Sequence, residues 1–218
     1  THLYSAPARG MPAPPRVPTN FTEILELVWW RLDRALDDET IYWSAMAGAM
    51  DAVRSGTTCL VDHHASPARI NGSLEIVREA LEAIGLRGVL CYEVTDRGSL
   101  GERNAGLDEN RALLDWVRQA TAATDQQASM TRALVGAHAS FTLSNESLEA
   151  CAALMRDYGT GLHIHAAEDQ ADTEDALSRY GIGVIERLAK FDALNDKTII
   201  AHGIHLGDRD IAIAREAN

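Results

Sequence analysis
The sequence predicts an α/β fold, a partial (β/α)8 barrel of the TIM type, and three observations predict it. Short apolar strand-like runs alternate with helical stretches along the chain. No GxGxxG or GxxxxGK[ST] loop follows any of them. Histidines stand where four of the runs end. Alternating strands and helices require a parallel sheet, because parallel neighbours are joined by crossovers. The missing phosphate loop favours a closed barrel over an open, doubly wound sheet. In a barrel the C-terminal ends of the strands form one rim, where side chains distant in sequence converge. At 218 residues the chain is shorter than the roughly 250 of a whole barrel, so the expectation is one incomplete barrel domain spanning 1–218.

The elements follow in order. Five of the six prolines fall between Ala6 and Pro18, which argues against any helix there and predicts an irregular loop or lid rather than a domain linker. A helix is expected from Asn20 or Thr22 to Arg34, and another from Glu39 to Arg54, with Tyr42, Met46, Met50 and Val53 as its apolar stripe and Gly56 as its stop. Strands are expected at Thr57–Val61, Arg87–Tyr92, Ala133–Ala137, Gly161–Ile164 and Thr198–Ala201. Helices fit between them at Ser73–Ile84, Leu107–Thr124, Ser144–Tyr158 and Thr173–Phe191, the last broken at Gly181–Gly183.

Composition narrows the functional classes. A net charge of −12, with no dense basic run, argues against a nucleic acid polymer as partner. No stretch of 18 apolar residues offers a membrane span. Cys59, Cys91 and Cys151 form no CxxC pair, which points to a reducing, cytoplasmic setting and leaves metal binding to histidine. The expected partner is a small molecule, and the expected assembly a homodimer.

The sharpest motif is His163-Ile164-His165-Ala166-Ala167-Glu168. The strand period of two puts His163 and His165 on one face, with Glu168 a short turn later. Neutral imidazole is a preferred zinc donor, and zinc lowers the pKa of a bound water to about 7. The hydroxide so formed is a nucleophile, and Glu168 is placed to handle its proton. His202 ends the last run, as a ligand or as a group that polarises the attacked carbon, while His205 reads as structural. His138 closes Gly136-Ala137-His138, where substrate contact is expected. His63 and His64 face opposite sides of their strand, so one of the two can line a pocket. Glu93, Asp96 and Arg97 are expected to make surface salt contacts, with reading of a polar heterocycle as the alternative. For Trp29 and Trp30 the alternatives are helix packing and stacking against a planar ring.

These residues resemble the amidohydrolase superfamily, in its deaminase and triazine chlorohydrolase branch, and most closely its SsnA-type aminohydrolases. The blocks that carry the resemblance are Trp29 to Asp37, Asp62-His63-His64-Ala65-Ser66-Pro67 and Gly161 to Asp169. The resemblance implies that His2 and His165 are metal ligands, Glu168 the proton shuttle, His202 the histidine near the attacked carbon and His138 a substrate contact. It places proline two positions after that last histidine, where this chain has Ser140. It implies a barrel whose last strands and terminal β-sandwich are not in this sequence. The only lysines, Lys190 and Lys197, cannot supply the bridging lysine of two-metal relatives, so one zinc, or alternatively one iron, is implied. The implied reaction is hydrolysis of a C–N bond in a purine-like or related N-heterocycle, with release of ammonia. The alternatives are a chlorohydrolase or amide hydrolase on a similar ring, and a catalytically silent barrel.

Overall fold
The computed structural model describes residues 1–123 and 130–217. Among the described residues every strand pairs in parallel, as the alternation of elements requires, in two three-stranded sheets ordered β1-β2-β3 and β4-β5-β6. The chain resolves into two compact units, Thr1–Tyr92 with Asp108–Ala133, and Glu93–Leu107 with Leu134–Asn218.

In the first unit β1 (Cys59–His64) pairs with β2 (Arg87–Tyr92) from Cys59↔Arg87 to His64↔Tyr92, and β2 pairs with β3 (Thr131–Ala133). β1 runs past the expected end at Val61, so the strand carries both His63 and His64. The expected strand 133–137 is divided between β3 and a separate β4, which the unbroken apolar pattern concealed.

The proline-rich stretch opens with a 3-10 helix, Leu3–Ala8, around Pro7. Asn20 caps α1 (Phe21–Ile24) by accepting from the Glu23 N–H at 3.0 Å. The expected continuous helix is interrupted by a π turn at Leu25–Trp29 before α2 (Trp30–Leu32). α3 (Asp38–Arg54) starts at an Asp37–Thr40 capping box, and α4 (Ser73–Ile84) stops at Gly85 with φ +79°. α5 spans Leu100–Ala123, seven residues earlier than its expected start at Leu107, and its expected end at Thr124 lies outside the described residues.

In the second unit β4 (Val135–Ala139), β5 (Leu162–Ala166) and β6 (Ile199–His202) form the sheet. Both β4 and β5 are buried along their whole length, which suits strands covered on two faces. α6 (Asn145–Tyr158) is capped by Ser144 and ends at Gly159 with φ +61°. The helix expected at 173–191 is two, α7 (Gln170–Tyr180) and α8 (Val184–Lys190), broken at Gly181 as anticipated. α9 (Asp208–Glu216) lacked a sequence signal because it buries no residue. No helix among the described residues is long and apolar enough to cross a membrane.

β5 and β6 start in very close contact. A Cβ added at Gly161 would stand 2.1 Å from the Lys197 carbonyl oxygen, whereas one at Gly88 would meet only the Leu81 Cδ1 tip at 2.6 Å. Gly161→Ala is therefore expected to destabilise by about 3 kcal/mol, the upper end for overpacking, and Gly88→Ala by about 1 kcal/mol. Urea unfolding of the two variants checks the order; equal midpoints would contradict it.

Candidate active site
The second unit gathers four of the five residues singled out as site candidates at the C-terminal ends of β4, β5 and β6. The ring of His165 lies 5.8 Å from that of His138 and 5.5 Å from that of His202, and His202 Nε2 is 3.4 Å from Glu168 Oε2. His163 lies 6.5 Å from His165, on the same side of β5, as the strand period requires.

A β-bulge builds the centre of this cluster. Ala137 pairs with Ile164, but it is Ala139 that pairs with His165, which leaves His138 as the extra residue in β4. Its carbonyl accepts from His165 Nδ1 at 2.9 Å. A carbonyl oxygen cannot donate, so Nδ1 carries a proton, and in the neutral form of the ring the lone pair is on Nε2. On the other side of His138, Thr142 Oγ1 lies 2.6 Å from Nδ1 and donates to the Ala139 carbonyl at 3.1 Å.

Glu168 is placed by two turns that bond to each other. The Ala166 carbonyl accepts from Gly203 N–H at 3.0 Å, and the Ala167 carbonyl accepts from His205 N–H at 2.9 Å. His205 thus acts through its backbone, and its side chain is exposed. Ala167 and His202 both have positive φ, 52° and 71°, in a region that side chains with a Cβ seldom adopt. Burial pushes the Glu168 carboxyl above the ordinary glutamate range, while the nearby His202 pulls it down.

Glu93 is not at the surface, contrary to the expected solvent-exposed salt contacts. Glu93 and Arg97 are 4% and 8% exposed and pair at 2.8 Å, with His138 Nε2 3.9 Å from the same carboxylate oxygen. Asp96 stays exposed, as expected, and accepts from Ser144 N–H at 2.6 Å and Ser147 Oγ at 2.7 Å. Val94 is held beside β4 in a parallel bridge, its N–H bonding to the Gly136 carbonyl and its carbonyl accepting from His138 N–H.

Two charged residues beside the cluster had no sequence signal. Asp172 is buried on the first turn of α7, and desolvation raises its carboxyl to about 6. Arg187 on α8 is fully buried and donates to both oxygens of Ser140, which is how the chain uses serine where the resemblance led to proline. Both read in sequence as ordinary polar positions on helices, because only the tertiary contacts show their burial.

His2 belongs to the first unit. Its Nδ1 donates to the His63 carbonyl at 2.7 Å, so its lone pair also lies on Nε2. The rings of Tyr4, Trp29 and His63 surround it with centroids 5.4–5.7 Å away. Trp29 therefore borders a candidate ligand rather than filling a helix interface alone. Of the β1 pair, His63 is the one beside His2; its Nδ1 lies 3.5 Å from Cys91 Sγ. His64 turns the other way, toward Ser66 Oγ at 3.0 Å and the rings of Tyr4 and Tyr92.

His2 and His165 each have the Nδ1–H fixed by a backbone carbonyl. That is the donor chemistry of metal-binding histidine, in which the second-shell bond sets the tautomer and leaves Nε2 for the ion. The residues present fit a zinc-type metal.

His64 carries a pH signature. Burial lowers its pKa from 6.5 to about 3, with a smaller contribution from His2. Between these values the unfolded chain binds a proton that the folded chain does not, so stability is full above about 6.5 and is lost as pH falls toward 3. The loss amounts to about 5 kcal/mol. His64→Phe should flatten that part of the stability curve in urea titrations from pH 4 to 7; an unchanged slope would assign the acid sensitivity elsewhere.

All 218 residues match the model of the Amidohydrolase family. The chain is 30% identical over 187 residues to the 5-methylthioadenosine/S-adenosylhomocysteine deaminase of Caldanaerobacter subterraneus subsp. tengcongensis, covering 86% of this chain and 40% of that protein. Its fold resembles a zinc-bound adenosine deaminase from Xanthomonas campestris, with TM-score 0.81 at 19% identity over 99% of this chain and 46% of that one. It also resembles the zinc complex of an atrazine chlorohydrolase from Arthrobacter aurescens, with TM-score 0.74 at 21% identity over 100% of this chain and 50% of that one. The chain thus spans between two fifths and one half of the length of these relatives.

Proposed function
The chain belongs to the amidohydrolase family, and on that premise we propose that the whole protein is a zinc-dependent deaminase releasing ammonia from a purine-like N-heterocycle, most readily an adenine-type one. The architecture in this reading is one (β/α)8 barrel domain, with strands beyond those of residues 1–218 and a β-sandwich supplied elsewhere. One observation carries the reading: His138, His165, His202 and Glu168 cluster at three strand ends, with the His165 tautomer fixed for coordination through Nε2. The adenosine-derived substrates in the relatives' names support the choice of ring.

His165 would hold a zinc ion through Nε2. When bound, the metal supplies Lewis acidity that makes water nucleophilic at neutral pH. The protein's own groups do the rest. Glu168 takes a proton from the attacking water and delivers a proton to the departing nitrogen, so a C–O bond forms, a C–N bond breaks and ammonia leaves. Its raised proton affinity suits a group that must both hold and release a proton. His202, 3.4 Å from that carboxylate, stabilises negative charge as the ring carbon becomes tetrahedral. His138 binds the ring, aimed by Thr142 and Glu93.

The likeness to an atrazine chlorohydrolase favours a second reading, in which the same groups displace chloride from a triazine. Ammonia or chloride release from zinc-loaded protein against adenosine-type and chlorotriazine panels separates the two. Under the deaminase reading Glu168→Gln lowers the rate of ammonia release by about 10³-fold with zinc content unchanged, and His165→Ala loses the zinc. Ammonia release by E168Q at the wild-type rate would overturn the assignment of the proton shuttle.

A further inference from the structure
One carboxylate grips the loops that carry both Glu168 and the support of His138. Asp172 is 2% exposed. Its Oδ1 accepts from Phe141 N–H at 3.1 Å, in the short 3-10 turn Ser140–Thr142 that follows β4. Its Oδ2 accepts from Ala167 N–H at 2.8 Å, in the turn that follows β5. The first turn contains Thr142, whose hydroxyl lies 2.6 Å from His138 Nδ1. The second contains Glu168, the next residue after Ala167.

Two features show that this grip sets geometry. Ala167 has φ +52°, which its Cβ disfavours, so the turn keeps this shape only where its surroundings over-determine it. Both of its peptide groups are fixed, the N–H by Asp172 and the carbonyl by His205 N–H at 2.9 Å. The Ser140–Thr142 turn is held from its other side by Arg187, which donates to the Ser140 carbonyl at 2.7 Å, Ser140 Oγ at 2.9 Å and the Leu143 carbonyl at 2.9 Å, with the Tyr180 ring 3.9 Å beneath the guanidinium. A buried acid and a buried base thus brace one turn without bonding to each other. Burying such charges is a weak source of stability, so a fixed arrangement of the loops is the physical return.

We propose that Asp172 is a positioning residue that couples the aim of Glu168 to that of His138 through these two backbone N–H groups. The inference rests on the roles given above to Glu168 and His138. It requires acceptors at both ends of the side chain. Asparagine offers one acceptor and one donor, so Asp172→Asn must break one of the two bonds. Glycine reaches positive φ without strain, so Ala167→Gly should weaken the dependence of the turn on Asp172.

The test uses the zinc-loaded whole protein carrying D172N, A167G or both, with ammonia release from an adenosine-type substrate and amide hydrogen exchange as readouts. D172N is expected to lower kcat by about 10- to 100-fold, as loss of an outer support does, with KM within about twofold and zinc content unchanged. In the A167G background the loss caused by D172N should shrink to a few-fold, a coupling that independent structural damage would not produce. Exchange at Phe141 and Ala167 should accelerate in D172N while that of α6 stays as in wild type. Wild-type kcat in folded D172N, or the same loss in both backgrounds, would overturn the inference. If D172N fails to fold, Asp172→Glu, which keeps the charge but displaces both oxygens, is held to the same criteria. If the wild-type protein releases no ammonia, the deaminase reading fails by itself. Exchange then still decides the grip: acceleration confined to the two turns supports it, and unchanged protection ends it.

Discussion
The hydrogen bond from His165 Nδ1 to the His138 carbonyl is the constraint from which the remaining site geometry follows. It is available because the bulge in β4 releases that carbonyl from the ladder. Its consequence is electronic as well as geometric. The acceptor fixes the proton on Nδ1, which directs the lone pair of His165 away from β4. An unbulged β4 would use the same carbonyl in the sheet and leave the His165 tautomer to chance. His2 repeats the arrangement with the His63 carbonyl, so the two histidines that the sequence marks as ligands share one chemistry.

Around that bond the second unit holds charge where a stability argument alone would not put it. Glu93 with Arg97, and Asp172 and Arg187 on either side of the Ser140 turn, are buried ionic groups. Exchanging water for protein partners gains a charged group little, and the desolvation penalty is large. What Glu93, Asp172 and Arg187 have in common is their target: each touches a loop that leaves β4 or β5, or faces His138 itself. Strain follows much the same distribution, since two of the three non-glycine residues with positive φ among the described residues, Ala167 and His202, stand at the ends of β5 and β6, the third being Asp192 after α8. Tension in the backbone and buried charge both concentrate beside the histidines, and fixed loops are the property that joins them.

Much of this was legible in the sequence. Apolar runs, three of them closed by histidine, marked β1, β2, β5 and β6 to within a few residues, because strand length and the period of two are local properties. The proximity of His165, Glu168 and His202 could be anticipated from parallel strands that end together. The bulge was hidden, since Gly136-Ala137-His138 reads as plain alternation and the extra residue exists only relative to β5. The π turn was hidden likewise, because Phe21 to Arg34 carries an unbroken helical pattern. Asp172 and Arg187 look like surface helix positions in sequence. Their importance lies in partners 31 to 47 residues away, at Phe141 and Ser140, and no periodicity encodes that distance.

The balance at Glu168 gives the site a direction of operation. Its carboxyl is raised by partial burial and lowered by His202, and the two side chains are 33% and 37% exposed. Water therefore still moderates both effects. In the deaminase reading, a planar ring seated against His138 and His202 would displace that water and strengthen both. Desolvation is the larger influence on Glu168, so covering it raises its hold on a proton at the moment when it has one to receive. As negative charge then passes toward the nitrogen of the tetrahedral centre, that nitrogen becomes the stronger base and draws the proton off. A carboxylate more fully buried from the start would already carry its proton and could not begin the reaction; one left in open solvent would hold it too weakly to finish.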